Sequence, residues 1–502
     1  MLATISSATV LGVEGRPVTV EVHVASGLPG FTIVGLPDTA CREARDRVRA
    51  ALMCTGLPWP SRRITVNLAP SGLRKVGSGL DLAIAVALLV AQEEVEPAAV
   101  DGVGFLGELG LDGSLRPVPG MVSLSEALDG DVAVVPVAAA GEARLVATHE
   151  VRPVAHLREV ASALKGEEPW PDPPPAAGAP PPPPEPDLAD VRGQPVARLA
   201  LEVAAAGHHH LLMVGPPGSG KTMLARRLPG LLPRLCQAHA LEATRIHSAA
   251  GIPLRADSLI WRPPLRAPHH GASPVSIIGG GTAVMRPGEV SLAHRGVLFL
   301  DEMGEFAPQV LDTLRQPLEE GEVRVARAKA SATFPARFLL AGAMNPCPCG
   351  EGSSPGACSC SDAARARYRR RLSGPLLDRF DLRVEVLRPD VDDLLRGAPG
   401  ESSATVAERV LAARERANGR GVWANAGLTA ASLDELAPFS DGAAIIVEQA
   451  LRSGRLSARG LQRIRRVALT LADLWGRSGP LGSDQVSLAL SLRADPVGFG
   501  RG

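Results

Sequence analysis

Lysine is nearly missing from this chain: among 502 residues it stands only at 75, 165, 221 and 329. Arginine carries the other positive charges, and 53 Lys plus Arg balance 53 Asp plus Glu, for a formal net charge of zero. Global charge therefore says nothing about a nucleic-acid partner, and only local basic patches could. Long apolar runs are lacking too. The longest uncharged one, Leu82 to Gln92, falls far short of the roughly 20 residues that span a bilayer. Glu14 and Arg16 interrupt the first apolar segment, so no secretory signal is visible there. Cysteines number seven, and four of them cluster, which is not the pattern of a secreted disulfide framework. No membrane contact and a cytoplasmic location are the expectations.

What is present suffices for large cores: hydrophobic residues make up 45% of a chain long enough for about three domains. One of the four lysines closes the stretch Gly215-Pro216-Pro217-Gly218-Ser219-Gly220-Lys221-Thr222. An apolar run, Leu211 to Val214, precedes it as a short buried strand, and Met223 to Leu228 follows with helical spacing. Strand, Gly-rich loop and helix in that order are the context of a P-loop. The glycines let backbone N–H groups turn toward phosphate oxygens, and the helix N-terminus adds its positive dipole end. Lys221 is expected on the β- and γ-phosphates of ATP, and the Thr222 hydroxyl on Mg²⁺.

A second nucleotide element is the apolar run Gly296 to Leu300 ending in Asp301-Glu302, the Walker B pattern. Asp301 is assigned to the Mg²⁺ shell, and Glu302 to the attacking water as general base. Phe338 to Met344 is a further strand, and Asn345 at its end is a natural sensor 1. In Leu376-Leu377-Asp378-Arg379-Phe380-Asp381, Arg379 has the placing of an arginine finger that enters a neighbouring subunit's site. A surface arginine at a helix end is the other reading. Residues 402 to 495 have helical period throughout; within them Arg459 is the sensor 2 candidate, with Arg463 one turn on as its substitute.

Before the P-loop, short apolar bursts punctuated by Gly and Pro argue for strands around Ala8–Leu11, Val18–Val24 and Phe31–Val34. Further strands are expected at Ile64–Leu68, Phe105–Leu109 and Val132–Val135, with helices at Arg42–Met53 and Leu80–Val90. Residues 166–190 are proline-rich and read as an extended spacer. His208-His209-His210 would point in different directions on a strand, so a metal site from these three alone is not expected.

Two basic and thiol features stand near sensor 1. Arg327 and Lys329, two apart in an extended stretch, point to one side. Arg365, Arg367, Arg369, Arg370 and Arg371 surround the only tyrosine, Tyr368, and read either as a solvated face or as a DNA-backbone contact. Cys347, Cys349, Cys358 and Cys360 form C-x-C-x8-C-x-C. They are either structural Zn²⁺ ligands or four reduced loop thiols.

The stretch Lys75 to Leu82 with Gly107 to Val118 resembles the ribosomal-S5-like fold of Lon-type protease domains. The resemblance implies a nucleophilic serine where Gly79 stands, with Ser78 displaced by one, so a non-proteolytic module is expected. The order P-loop, Walker B, sensor 1, arginine finger and helical lid is similar to AAA+ ATPases. Eighty residues between Lys221 and Asp301, including Arg266 to Gly271 and Ile277 to Gly281, resemble the helix-2 insert of the magnesium-chelatase and MCM branch. That Arg327 and Lys329 contact DNA is what the resemblance to the MCM branch implies. Met344-Asn345-Pro346-Cys347-Pro348-Cys349-Gly350 and Ser373 to Arg379 are similar to the YifB/ComM family of magnesium-chelatase-like ATPases.

The expected fold is α/β multidomain. An N-terminal S5-like α+β domain takes residues 1–165, followed by the linker 166–190. An AAA+ P-loop α/β domain with helix-2 and pre-sensor-1 inserts takes 191–388, and an α-helical lid 389–502. The family resemblance implies a homo-oligomeric, hexameric ring motor on DNA that promotes branch migration during natural transformation, alongside recombination proteins. Rival expectations are a chelatase-like protein remodeller and an ATP-dependent protease.

Overall fold

The computed structural model describes residues 2–146, 148–172, 185–254, 258–281, 285–327, 330–352 and 358–494, with Arg327 and Ala330 described by backbone alone. The N-terminal sheet has seven strands, in the order Gly30–Val34, Arg63–Ala69, Glu14–Ala25, Leu2–Leu11, Val103–Phe105, Val132–Pro136, Glu150–Val154. Leu2–Leu11 pairs antiparallel along its whole length with residues 14–23, so the first strand is longer than the Ala8–Leu11 burst that marks it in the sequence. Strand pairing, not local hydrophobicity, extends it. The expected Phe105–Leu109 strand is broken in two, at Phe105 and again at Glu108, with Gly107 at φ +148° between.

The helix Asp81–Ala91 is buried on every side. An amphipathic helix would leave one face polar, whereas this one is apolar all round and belongs inside the core. Its single charge, Asp81, is met by a fork from Arg47, with Nε at 2.6 Å and Nη2 at 3.0 Å. Burial still pushes the Asp81 carboxyl up to about 6.

The second sheet has five strands, all parallel: Leu265–Arg266, Val297–Leu300, Leu339–Met344, Leu211–Val214 and Leu382–Glu385. Every residue of Leu211–Val214, Val297–Leu300 and Leu339–Met344 is buried, as the unbroken apolar runs of a sheet covered on both faces require. The register sets Val214 beside Met344 and Leu300 beside Gly342. Gly215, Asp301 and Asn345 therefore leave the sheet at one edge, the carboxyl edge where open parallel sheets hold ligands.

One turn departs from expectation. The helix after the P-loop covers Lys221–Ala225 and breaks before a second short piece, Leu228–Leu231. Pro229 stands at the start of that second piece, where a missing N–H is tolerated but an uninterrupted helix is not.

The C-terminal helices are Ser403–Gly419, Ala430–Leu436, Asp441–Arg452, Ala458–Leu474 and Ser483–Ser491. In Ala458–Leu474 the residues Ile464, Val467, Ala468, Leu471 and Ala472 are buried, spaced as one helix face. The Ser457 hydroxyl caps that helix by accepting from the Gly460 amide, a bond worth about 1 kcal/mol. These helices share one core with Pro195–Gly207 and the P-loop strand. The N-terminal part docks on the helix Gln237–Ala250: the Gly120 amide donates to the Ser248 carbonyl at 2.8 Å, and Ser248 Oγ to Glu142 at 2.6 Å. Among the described residues no helix is long and apolar enough to cross a membrane. Residues 173–184, within the proline-rich stretch, lie outside those described.

Candidate nucleotide site

Parallel register brings the carboxyl ends of three strands together, and with them four of the expected side chains. Lys221 Nζ donates to the carbonyls of Gly215 and Pro216, both at 2.8 Å, and reaches Asn345 Oδ1 at 3.3 Å. Thr222 Oγ1 donates to Asp301 Oδ2 at 2.7 Å. Burial pushes the Lys221 ammonium below its usual pKa, while the Asp301 and Glu302 carboxylates pull it back up. Gly218 and Gly220 have φ of +76° and +91°, the left-handed region in which glycine turns backbone amides inward. Ser219 is buried beneath the loop, and Gln194, which the sequence left unassigned, donates its amide to the Ser219 carbonyl at 3.2 Å. An oxygen pair such as Thr222 and Asp301 suits a hard cation, so these residues fit Mg²⁺.

Glu302 lies at φ +49°, an unusual backbone for a residue with a Cβ, and its amide donates to Asp301 Oδ1 at 3.0 Å. Holding a non-glycine residue there costs of order 1–3 kcal/mol, and such strain collects at functional sites. Its carboxylate is 3.4 Å from His270 Nδ1. In the sequence Arg266 to Gly271 reads only as part of an insertion, and no local pattern signals this contact.

Arg379 pairs with Glu319 of its own chain, and no hydrogen bond or ion pair joins it to the P-loop among the described residues. Burial, then the neighbouring Arg463 and Arg459, push its guanidinium below the usual value. Arg459 is exposed and has no hydrogen-bond or ion-pair partner among the described residues. Its substitute Arg463 is the engaged one: it donates to the Arg379 carbonyl at 3.1 Å and to the Asp381 carboxylate. Burial would raise the Asp381 carboxyl, but His209 and Arg463 outweigh it and hold the group well below the usual range. The histidine tract disperses. The His208 ring stands edge-on to Trp423 at 4.6 Å, His209 bonds Thr470 at 2.8 Å, and His210 Nδ1 accepts the Leu340 amide at 3.0 Å.

Cys347, Cys349, Cys358 and Cys360 come together, all Sγ atoms lying within 4.8 Å of one another. The backbone N–H of Glu351 draws the Cys349 thiol down to about 6, whereas burial pushes Cys347 up to about 12. Glu322–Arg327 and Ala330–Pro335 form an antiparallel hairpin, with Arg327 opposite Ala330. Lys329 lies outside the described residues. Between the strand Arg63–Ala69 and the helix Asp81–Ala91, Lys75 is fully buried with Nζ on the Pro70 carbonyl, and Ser78 Oγ is held by Glu108. No hydrogen bond joins Lys75 to Ser78.

Comparison with known proteins adds three family matches. Residues 187–394 match the family described as magnesium chelatase, subunit ChlI; residues 20–137 match subunit ChlI of Mg-chelatase; residues 400–493 match the ChlI C-terminal family. An uncharacterized protein of Mycobacterium tuberculosis is 47% identical over 97% of both chains. YifB of Escherichia coli is 43% identical over 98% of this chain and 97% of its own. Competence protein ComM of Haemophilus influenzae is 43% identical over 95% and 94%. At such identity over nearly the full length of each partner, the chain belongs to the YifB/ComM family of magnesium-chelatase-like proteins.

Proposed function

We propose that this protein is an ATP-hydrolysing AAA+ ring motor that acts on DNA as a branch-migration helicase in recombination during natural transformation. The observation that carries the ATPase part is the meeting of Lys221, Thr222, Asp301 and Asn345 at one sheet edge. In this reading Lys221 and the P-loop amides bind the phosphates, and Thr222 with Asp301 would hold Mg²⁺. The metal, when bound, neutralises phosphate charge. Glu302, oriented by His270, takes the proton of the attacking water, and Asn345 positions that water. Arg379 acts on the neighbouring subunit of a hexamer, and Arg459 or Arg463 belongs to the same arginine group. Cys347, Cys349, Cys358 and Cys360 hold structural Zn²⁺.

Domains in this account are 1–165, an S5-like module without proteolytic activity, then the linker 166–190, the ATPase core 191–388 and the lid 389–502. The protein works in the cytoplasm with recombination proteins. Support for the DNA part comes from the name of the competence relative and from the basic hairpin before sensor 1. A chelatase-like remodeller is the second reading, favoured by the three magnesium-chelatase family matches. A protease is disfavoured by the separation of Lys75 from Ser78 and by Gly79.

The hairpin offers the test. Phosphate contacts carry affinity rather than sequence preference, and each one lost makes the salt slope shallower by about 1. Arg327→Ala with Lys329→Ala should therefore weaken binding to every DNA sequence alike and flatten the slope by about 2. Basal ATP hydrolysis should survive, since neither residue belongs to the nucleotide site. Fluorescence anisotropy across a salt titration reads both quantities; unchanged affinity and slope would remove the hairpin from the DNA path.

A further inference from the structure

The four-cysteine loop begins two residues after Asn345 and touches the nucleotide site on three sides. Cys347 Sγ is 3.3 Å from Cys349 Sγ and 3.7 Å from Cys358 Sγ, and Cys349 Sγ is 3.7 Å from Cys358 Sγ. A tetrahedron of thiolates at the usual zinc–sulfur length of 2.3 Å has edges of about 3.8 Å. Soft sulfur donors select zinc or an iron–sulfur cluster over Mg²⁺ or Ca²⁺.

The first side is the P-loop. Gly350, at φ +85°, presses so close to Pro217 that a Cβ there would lie 2.6 Å from Pro217 Cδ. Arg388 spans the same contact, with Nη2 2.6 Å from Glu351 Oε1 and Nε 3.4 Å from the Pro217 carbonyl. The second side is sensor 1, because Pro346 alone separates Asn345 from Cys347. The third is the turn after Walker B. Cys360 leads directly into the helix Asp362–Arg369, whose Tyr368 is buried against Gly304. A Cβ at Gly304 would lie 2.3 Å from the Tyr368 hydroxyl, which faces the Asn345 backbone N–H. Arg371 ties the same turn through the Gly304 carbonyl at 2.6 Å.

We propose that zinc held by Cys347, Cys349, Cys358 and Cys360 is a clamp that keeps sensor 1, the P-loop and the Walker B turn in register, so that nucleotide affinity depends on the metal. This rests on the Zn²⁺ assignment above. The clamp acts through position alone: the metal cross-links Cys347 and Cys349 to Cys358 and Cys360, and the residues beside these cysteines, Asn345, Gly350, Glu351 and the helix Asp362–Arg369, meet the three elements. Losing the metal frees Gly350 from Pro217 and loosens Asn345 together.

The test uses the full-length protein with two variants, metal analysis and binding of a fluorescent ATP analogue. Wild type should carry about one Zn²⁺ per chain. Cys358→Ser should lose the metal and bind the analogue about five-fold more weakly or worse. Gly350→Ala keeps all four thiols; it should retain zinc and still bind more weakly, because its methyl group pushes the loop off Pro217. Wild type without zinc, or with iron in its place, would end the metal assignment and the clamp with it. Full zinc loss in Cys358→Ser with wild-type nucleotide affinity would leave the metal site standing and overturn the clamp. Should Cys358→Ser fail to fold, Gly350→Ala decides: zinc retained with unchanged affinity overturns the clamp, and zinc retained with weakened affinity supports it.

Discussion

Glu302→Gln should bind ATP as the wild type does and hydrolyse it slower by about 10²–10⁴-fold, the usual loss when a general base is removed. The amide keeps the size and the 3.4 Å approach to His270 Nδ1 but cannot take a proton. Nor does it disturb the Thr222–Asp301 contact or the Lys221 bonds to the P-loop, which set affinity. Lys221→Ala should lose binding itself, because its buried ammonium bonds the loop carbonyls from inside the loop, where the phosphates are expected. Equilibrium dialysis with single-turnover hydrolysis separates the two roles. Equal loss of nucleotide in both variants would undo the division between a binding lysine and a catalytic glutamate.

Arg379→Ala should cost about 10³-fold or more in turnover, the scale of an arginine finger. In its own chain Arg379 meets Glu319 and lies beside Arg463 and Arg459, not at the P-loop. On the proposed reading, its catalytic partner is the phosphate group bound by a neighbouring subunit. Mixed rings provide the proof. A ring assembled from Arg379→Ala and Lys221→Ala protomers contains interfaces at which an intact P-loop faces an intact arginine, so partial activity should return although each variant alone is inactive. No recovery in rings verified as mixed by mass would show that Arg379 does not act across the interface. Arg379→Lys should not rescue, since an ammonium cannot reproduce the two-pronged geometry of guanidinium.

Strands with continuous apolar runs are legible in the sequence: Leu211–Val214, Val297–Leu300 and Leu339–Met344 form where unbroken apolar runs lead up to Gly215, Asp301 and Asn345. The lid helices were equally plain, because Ile464, Val467, Ala468 and Leu471 repeat at helical spacing. What local pattern could not carry was contact across long sequence separation. Nothing near His270 signals that it approaches Glu302, and nothing near Gln194 signals its bond to Ser219. Nor does local pattern show that Arg463, rather than Arg459, meets the Asp381 carboxylate and the Arg379 carbonyl. The four cysteines were visible as a spacing, but their grip on Pro217 and Gly304 depends on two glycines whose missing side chains leave no trace in hydrophobic period.

If ATP hydrolysis serves work on DNA, one comparison of rates reveals it. Steady-state ATPase of the full-length protein is measured alone, with single-stranded DNA, with forked DNA and with an unfolded protein. The predicted result is stimulation by DNA, abolished by Glu302→Gln, with no response to unfolded protein. Stimulation by unfolded protein and none by either DNA would contradict the motor and favour the remodelling alternative.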